Sequence, residues 1–329
     1  METTQSIVYV GIDIAKLTFD ACLVRPQGKP QKKSFDNSPE GFAKLKRWVN
    51  HLVADATCHF CMEATGAYYE ALAIFLADAD QWVSVINPHR THHAAKASGA
   101  GNKTDPAEAQ LLAEYCRKEN PPLWRRATPE VRTLVAMMRR LQALKDHLYQ
   151  EQNRLGDPSV TGQPLVIASL EKTIAFLEAE IASLLKQIME HIKKHPDLKL
   201  DMELLTSIPG IGDLTAAWIM AELPDVRLLR SAQSAAAYTG LAPSEYRSGT
   251  SVHRGTHLSK RGNVHLRRAL YWPAVSASQF NPAVKALYDR LLAKGRCRMV
   301  ALGAAMRKLI MIAYGVLKNR KEFEYAPSE

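Results

Sequence analysis

No apolar run in this 329-residue sequence approaches the ~20 residues needed to span a bilayer, which argues against a membrane-embedded protein. The opening METTQSIVYVGID lacks the basic start and apolar stretch of a secretory leader, so a cytoplasmic location is expected. Cysteine is scarce: Cys22, Cys58, Cys61, Cys116 and Cys297 are the five. Cys58 and Cys61 form a CxxC, but a second ligand pair at zinc-finger spacing is missing. Their setting, the apolar run TCHFCME, predicts buried free thiols instead. No internal repeat is evident, so a repeat array is not expected.

What is abundant is positive charge, and it is unevenly placed. The chain carries 43 Lys and Arg against 33 Asp and Glu, a formal net charge of +10. From Gly240 onward there are 16 basic and 5 acidic residues, so residues 1–239 are close to neutral. Segregation of this kind points to a polyanionic partner for the C-terminal part. Nucleic acid fits better than an acidic membrane surface, which would call for an uninterrupted amphipathic basic helix. A basic surface kept for solubility is the plainer alternative.

The first 120 residues alternate between strand-like and helix-like segments. VYVGIDIAK, FDACLVRP and KKSFDN predict three successive strands, and PEGFAKLKRWVNHL predicts a helix entered at Ser38–Pro39. TCHFCMEA, AYYEALAIFLADA and WVSVIN continue as strand, helix and strand, and a further helix starts near Pro106. This order predicts an α/β domain with a mixed sheet, assigned to residues 1–126. Residues 128–155 form a helical stretch, and GDPSVTGQP is a loop by its Gly and Pro content. Leu170, Ile174, Leu177, Ile181, Leu184 and Ile188 then recur at spacings of four and three, a coiled-coil-like seam that suits either a helical hairpin or a dimer contact. We assign residues 127–199 to this helical connector. Residues 200–329 read as a mainly helical domain closing in two or three Ala-, Leu- and Arg-rich helices, with Tyr271 and Trp272 expected in its core.

Four carboxylates stand at the positions where chemistry is expected. Asp13 ends the first strand and Glu63 the fourth, each interrupting a run that would otherwise be buried, which calls for a partner. Asp105 and Glu108 lie three residues apart at a helix start, on one face of it. In a mixed sheet the first and fourth strands can be neighbours, gathering all four. Carboxylates that close raise one another's pKa unless a cation screens them, and oxygen-only ligands favour Mg²⁺ or Mn²⁺. Asp105–Pro106–Ala107–Glu108 also makes a good helix start with a capping box, which would account for that pair without a metal.

The stretch RSGTSVHRG, residues 247–255, holds serines, threonines, glycines and basic residues and little that fills a core. By itself this composition favours a solvated loop; the alternative is a basic surface holding a phosphate beside a nucleophilic hydroxyl. SIPGIG, with Gly210 and Gly212, suits either backbone amides approaching a phosphate or an ordinary turn between packed helices. Lys260, Arg261, Arg267 and Arg268 are candidate phosphate contacts. His253, His257 and His265 lack a firm metal-ligand spacing.

GIDIAK, CMEATGAYYE, VSVINP and NKTDPAEAQLLAEYCR, followed by SIPGIG, AAYTGLAPSEYRSGTS and SKRGNVHLRRALY, together resemble the 110-type insertion-sequence transposases, the DEDD recombinases guided by a bridge RNA. The likeness covers nearly the whole chain in the same order. It implies a RuvC-like RNase H-fold domain, a coiled-coil connector and a helical transposase domain with a catalytic serine. Carried over, it makes Asp13, Glu63 and Asp105 metal-binding carboxylates. At the fourth position, where the family usually has Asp, this chain has Glu108. It marks Ser248 as the nucleophile, Arg247 and Arg254 as neighbours able to stabilise a phosphorane, and Mg²⁺ or Mn²⁺ as the metal. DNA and a structured guide RNA are the implied partners, and a homo-oligomer the implied working form. Two competing readings are a hydrolytic RuvC-like endonuclease, in which Ser248 only binds phosphate, and a non-catalytic nucleic-acid scaffold.

Overall fold

The strand-and-helix alternation of the first third of the chain closes into a five-stranded mixed sheet in the computed structural model. The structure describes residues 7–25, 27–53, 56–64, 68–86, 105–223, 225–248 and 252–325; the side chains at 105–106, 245–248 and 252–256 lie outside that description. Two compact units divide the chain, Met1–Arg126 and Ala127–Glu329.

In the first unit the strands are β1 (Val8–Ile14), β2 (Thr18–Val24), β3 (Gln31–Asp36), β4 (Cys58–Glu63) and β5 (Trp82–Ile86), in the order β3-β2-β1-β4-β5. The first three pair antiparallel, and β1–β4 and β4–β5 pair parallel. Helix α1 (Pro39–Leu52) begins at the predicted place. The Ser38 hydroxyl accepts from the Gly41 amide at 3.2 Å, and Pro39 occupies the first turn, where a missing N–H costs nothing. Its Phe42, Leu45 and Val49 join Leu72, Ala73 and Leu76 of α2 (Glu70–Asp78) in one core with Val10, Ile12, Phe19 and Phe60. Both helices therefore cover the same face of the sheet.

The opposite face belongs to α3 (Asp105–Glu119), and a glycine decides how near it lies. Any side chain at Gly11, in the middle of β1, would overlap the backbone of Ala109, Leu112 and Ala113. The helix backbone thus rests directly on the strand, sealed by Cys61, Ile86, Leu112 and Cys116. Of the CxxC pair, Cys58 belongs to the α1 side and Cys61 to the α3 side, as period-2 alternation requires for residues three apart. The two sulfurs point to opposite faces and cannot share an ion. Both are buried and free, and burial pushes the Cys58 thiol up to about 11.

The second unit is built on α4 (Pro129–Leu155) and α5 (Pro164–Lys194), which pack along one another as a hairpin. Thr128 caps α4 by accepting from Val131, and Pro129 fills the first turn. Within the predicted seam Leu177 and Ile188 are buried, and Ile181 and Leu184 pack on the core that holds Ile188. That core continues through α6 (Pro196–Thr206), α7 (Asp213–Glu222) and α8 (Ala232–Tyr238). After a β-hairpin it takes in α9 (Val264–Ala269), α10 (Tyr271–Phe280), α11 (Pro282–Ala293) and α12 (Arg298–Asn319).

Four features depart from the sequence reading. The described parts of the Gly-, Ser- and Arg-rich stretch are strand rather than loop: β6 (Pro243–Ser248) and β7 (Val252–Leu258) pair antiparallel. Four helices close the chain, not two or three. Trp272 is 74% exposed, whereas Tyr271 packs against the core; neighbours on a helix point about 100° apart, so one cannot follow the other inward. Finally, α12 is long and apolar enough to cross a bilayer by length and composition, but its face from Ala301 to Leu317 is the centre of the core.

Two outcomes follow from this packing. Only Cys297 is exposed, so a chromogenic disulfide reagent should titrate one thiol in the native protein and five in denaturant. Gly11→Ala should cost ~3 kcal/mol by overpacking, seen as faster amide exchange in β1 and α3.

Candidate active site

The parallel register of β1 with β4 runs from Val8↔Cys58 to Ile12↔Met62. One further step along each strand reaches Asp13 and Glu63, side by side at the carboxyl ends. Val10 and Ile12 face α1 and α2, so Gly11 and Asp13, with Cys61 and Glu63, face α3. Asp13 is also the cross-strand partner of Asp20 on β2, whose carboxylate accepts a hydrogen bond from the Ser34 hydroxyl. Three carboxylates therefore cross β2, β1 and β4 in one row on one face. Asp20 was missed in the sequence because it sits in an ordinary alternating strand; only the register brings it beside Asp13.

The direction of α3 places the remaining two. Cys116, near its end, bonds with Cys61 and His59, and His59 pairs with Trp82 two residues before Cys61 pairs with Ser84. Gly11, which pairs with Cys61, lies under Ala109–Ala113. The helix thus runs against the strands, and its first turn, opened by Asp105 and carrying Glu108, comes toward the ends of β1 and β4. Glu108 is half-buried, and the Asp105 side chain lies outside the described residues. Carboxylates at this end of the helix also meet the favourable pole of its dipole. Beneath them the thiols are locked together: the hydrogen bond from Cys61, aided by His59, lowers Cys116 below the usual thiol range, and Cys61 is raised in turn.

Among the described residues, no three Asp, Glu, His or Cys side chains gather closely enough to hold an ion unaided. The donor set of the row is nonetheless all carboxylate oxygen, which suits a hard divalent cation and would relieve repulsion between neighbours.

Ser248 belongs to the second unit. It is the last residue of β6 and stands opposite Val252, with Arg247 opposite His253 and Arg254 opposite Tyr246. The side chains of Arg247, Ser248, His253 and Arg254 lie outside the described residues, as does Ser251 altogether. The base of the hairpin is well defined. Ser259 N–H donates to Ala242 at 2.9 Å, Lys260 N–H to Gly240 at 3.0 Å, and Asn263 N–H to Tyr238 at 2.8 Å. Gly262 lies so close to Tyr238, Thr239 and Gly240 that a side chain there would overlap their backbone.

A buried carboxylate anchors this clamp. Glu222, 5% exposed at the end of α7, accepts from Arg139 Nε at 3.0 Å and Asn263 Nδ2 at 2.7 Å. The Asn263 side-chain Oδ1 caps α9 by accepting from the Leu266 N–H at 2.9 Å. One network thus ties α4, α7 and the foot of β7. Nothing local in the sequence marks Glu222 or Arg139, which are 83 residues apart.

The basic candidates divide by what they touch. Arg267 donates from Nη1 to the Thr239 and Lys260 carbonyls at 3.2 and 3.1 Å, which makes it part of the clamp. Arg268 pairs with Asp146 at 3.9 Å on the surface, and Lys260 and Arg261 are exposed. His265 stacks flat on Trp218 at 5.9 Å, a packing role, while His257 is exposed. In SIPGIG, Gly210 takes a positive φ of 101° and abuts Ala277 of α10, so its lack of a side chain serves helix packing. Gly212 precedes α7 with open space around it.

Comparison with known proteins places these features. The family described as "Transposase IS116/IS110/IS902 family" matches residues 202–289, and the DEDD transposase family of IS110 elements matches residues 10–157. The pilin gene-inverting protein of Moraxella lacunata is 36% identical over 321 residues, 97% of this chain and 98% of its own length. The transposase for insertion sequence element IS1111A of Coxiella burnetii is 25% identical over 296 residues, 81% of this chain and 76% of its own. A carboxylate-bearing mixed sheet followed by a helical unit, matched over both parts, defines a DNA transposase, an enzyme of DNA recombination. The chain belongs to the IS110 family of transposases.

Gly262→Ala tests the clamp. It should lower the stability of the second unit by ~2–3 kcal/mol and speed amide exchange across β6 and β7, leaving exchange in β1–β5 unchanged.

Proposed function

We propose that this transposase cuts and rejoins DNA through a seryl-DNA ester formed by Ser248, at sites chosen by a bound guide RNA. The observation that carries the reading is the placement of Asp13 and Glu63 at adjacent strand ends, under the helix that opens with Asp105 and Glu108. Residues 1–126 are read as the RuvC-like domain, 127–199 as the coiled-coil connector and 200–329 as the domain that carries the nucleophile. The guide RNA and a homo-oligomeric working form rest on the sequence resemblance.

In this reading Ser248 Oγ attacks a backbone phosphorus. The new P–O bond to serine replaces the bond to the 3′ oxygen, which leaves as a 3′-hydroxyl after taking up a proton. Attack on the ester by a 3′-hydroxyl of the partner strand restores a phosphodiester and frees the serine, so no external energy source is consumed. Asp13, Glu63, Asp105 and Glu108 would hold Mg²⁺, which when bound supplies charge stabilisation for phosphoryl oxygens and lowers the pKa of a nearby hydroxyl. Arg247 and Arg254 on the paired strands are suited to neutralise the phosphate, and Lys260, Arg261 and Arg268 to hold the backbone. Glu108 reaches one methylene further than the aspartate usual in the family.

The high identity to proteins named for pilin gene inversion supports a second reading of the outcome, namely inversion of a DNA segment between two sites by the same chemistry. Paired-site plasmids that report excision and inversion separately distinguish the two.

Trapping the protein on DNA should give a covalent adduct that vanishes in Ser248→Ala. An adduct that persists there would transfer the role to another hydroxyl, and its absence from the wild-type protein would favour hydrolysis. Asp13→Asn should lower recombination at least ~100-fold while DNA binding is kept. Full recombination in that variant would leave only a scaffold role for the carboxylates.

A further inference from the structure

A second basic site lies in the first unit, in the part of the sequence whose net charge is near zero. Between the edge strand β3 and α1 runs a groove of about 640 Å³. Lys44, Arg47, Trp48 and His51 line it from α1, at spacings that put all four on one helical face. This stripe is separate from the core stripe of Phe42, Leu45 and Val49.

The groove combines exposed cations with an aromatic floor. Trp48 is half-buried and meets Phe35 edge to face at 5.8 Å and 61°, and Lys33 Nζ lies 5.7 Å from the Phe35 ring centre. Asp36 is the one carboxylate lining the groove; it faces Lys44 at 3.9 Å, and both are more than half exposed, so solvent weakens the pair. Among the described residues neither Lys33 nor Arg47 is ion-paired. Charge on an edge strand is a common guard against strand-to-strand aggregation, which would account for Lys32 and Lys33. It does not account for Arg47, Trp48 and His51, which stand on the helix.

We propose that this groove holds a short stretch of unpaired polynucleotide strand, with Lys33, Lys44 and Arg47 on phosphates and a base against Trp48. Cations beside a stacking platform are the recurrent chemistry of single-strand binding. The volume suits a nucleotide, and a duplex keeps its base faces stacked inside, unavailable to an aromatic side chain. Lys33 and Trp48 stand on the α1 side of the sheet, which α3 does not cover; Ser34, the donor to Asp20, lines the groove at the strand edge, so the groove adjoins one end of the carboxylate row without using those carboxylates, and the proposal does not rest on the serine mechanism.

The test is photocrosslinking of the full-length protein to short iodouracil-bearing strands, as RNA, as single-stranded DNA and as duplex DNA, with labelled peptides mapped by mass spectrometry. Peptides spanning residues 33–36 or 44–51 should be labelled by a single strand and not by the duplex, and the RNA and DNA arms report which sugar is preferred. Lys33→Glu with Arg47→Glu should lower this labelling roughly tenfold, and Lys33→Gln with Arg47→Gln less, with labelling of the basic C-terminal peptides unchanged. An unshifted thermal transition in the variants shows that the fold is kept. The proposal is overturned if these peptides stay unlabelled while C-terminal ones react, if the duplex labels them equally, or if charge reversal has no effect. None of these outcomes bears on the Ser248 adduct.

Discussion

The close seat of α3 on β1 is the constraint on which the carboxylate-bearing face depends. Gly11 has no side chain, so the helix backbone at Ala109–Ala113 rests on the strand itself. With the helix at this depth, its first turn arrives at the level of Asp13 and Glu63. A β-carbon at Gly11 would lift the helix and separate Asp13 and Glu63 from the pair that opens α3. The repulsion built into such a row is tolerable only where a cation or hydrogen-bond donors offset it, and Ser34 already serves Asp20 in this way.

The second unit solves a related problem by the same means. A two-stranded ribbon is marginal by itself, and β6 and β7 carry few residues able to bury. Their foot is held where Gly262 presses against Tyr238–Gly240 and where Arg267 bridges two carbonyls. Beneath lies Glu222, a nearly buried charge satisfied by Arg139 and Asn263. A buried carboxylate with its donors in place is a precise locator, since losing any partner leaves a costly unpaired group. The Ser248 strand is thus short and exposed in composition yet fixed at its root.

Charge is distributed with similar economy. The C-terminal excess is visible residue by residue, but part of it is directed inward: Arg267 supports backbone and Arg139 a buried carboxylate. Conversely, the near-neutral first unit assembles a local basic groove from residues on β3 and α1 that are not contiguous in sequence. Net charge per segment therefore reports the kind of partner but not the surface that meets it.

Periodicity and capping residues were enough to determine the order of strands and helices, the start of α1 at Ser38–Pro39 and the extent of α4, because these depend on neighbours a few residues apart. The four carboxylates, the buried thiols and the family resemblance were equally legible. What the sequence left hidden depends on contacts between distant segments. Asp20 gains meaning only from its register with Asp13, Gly11 only from the helix above it, and Glu222 only from Arg139 and Asn263. The RSGTSVHRG stretch looks like a loop because its residues bury little, yet its described residues lie in paired strands, since backbone hydrogen bonds and a clamped base do not need a core-filling side chain. The direction of Trp272, and which of its two roles Gly210 serves, were hidden for a like reason. Which way a helical residue points, and what a glycine must accommodate, are settled by the partner that packs against it, and that partner exists only once the chain has folded.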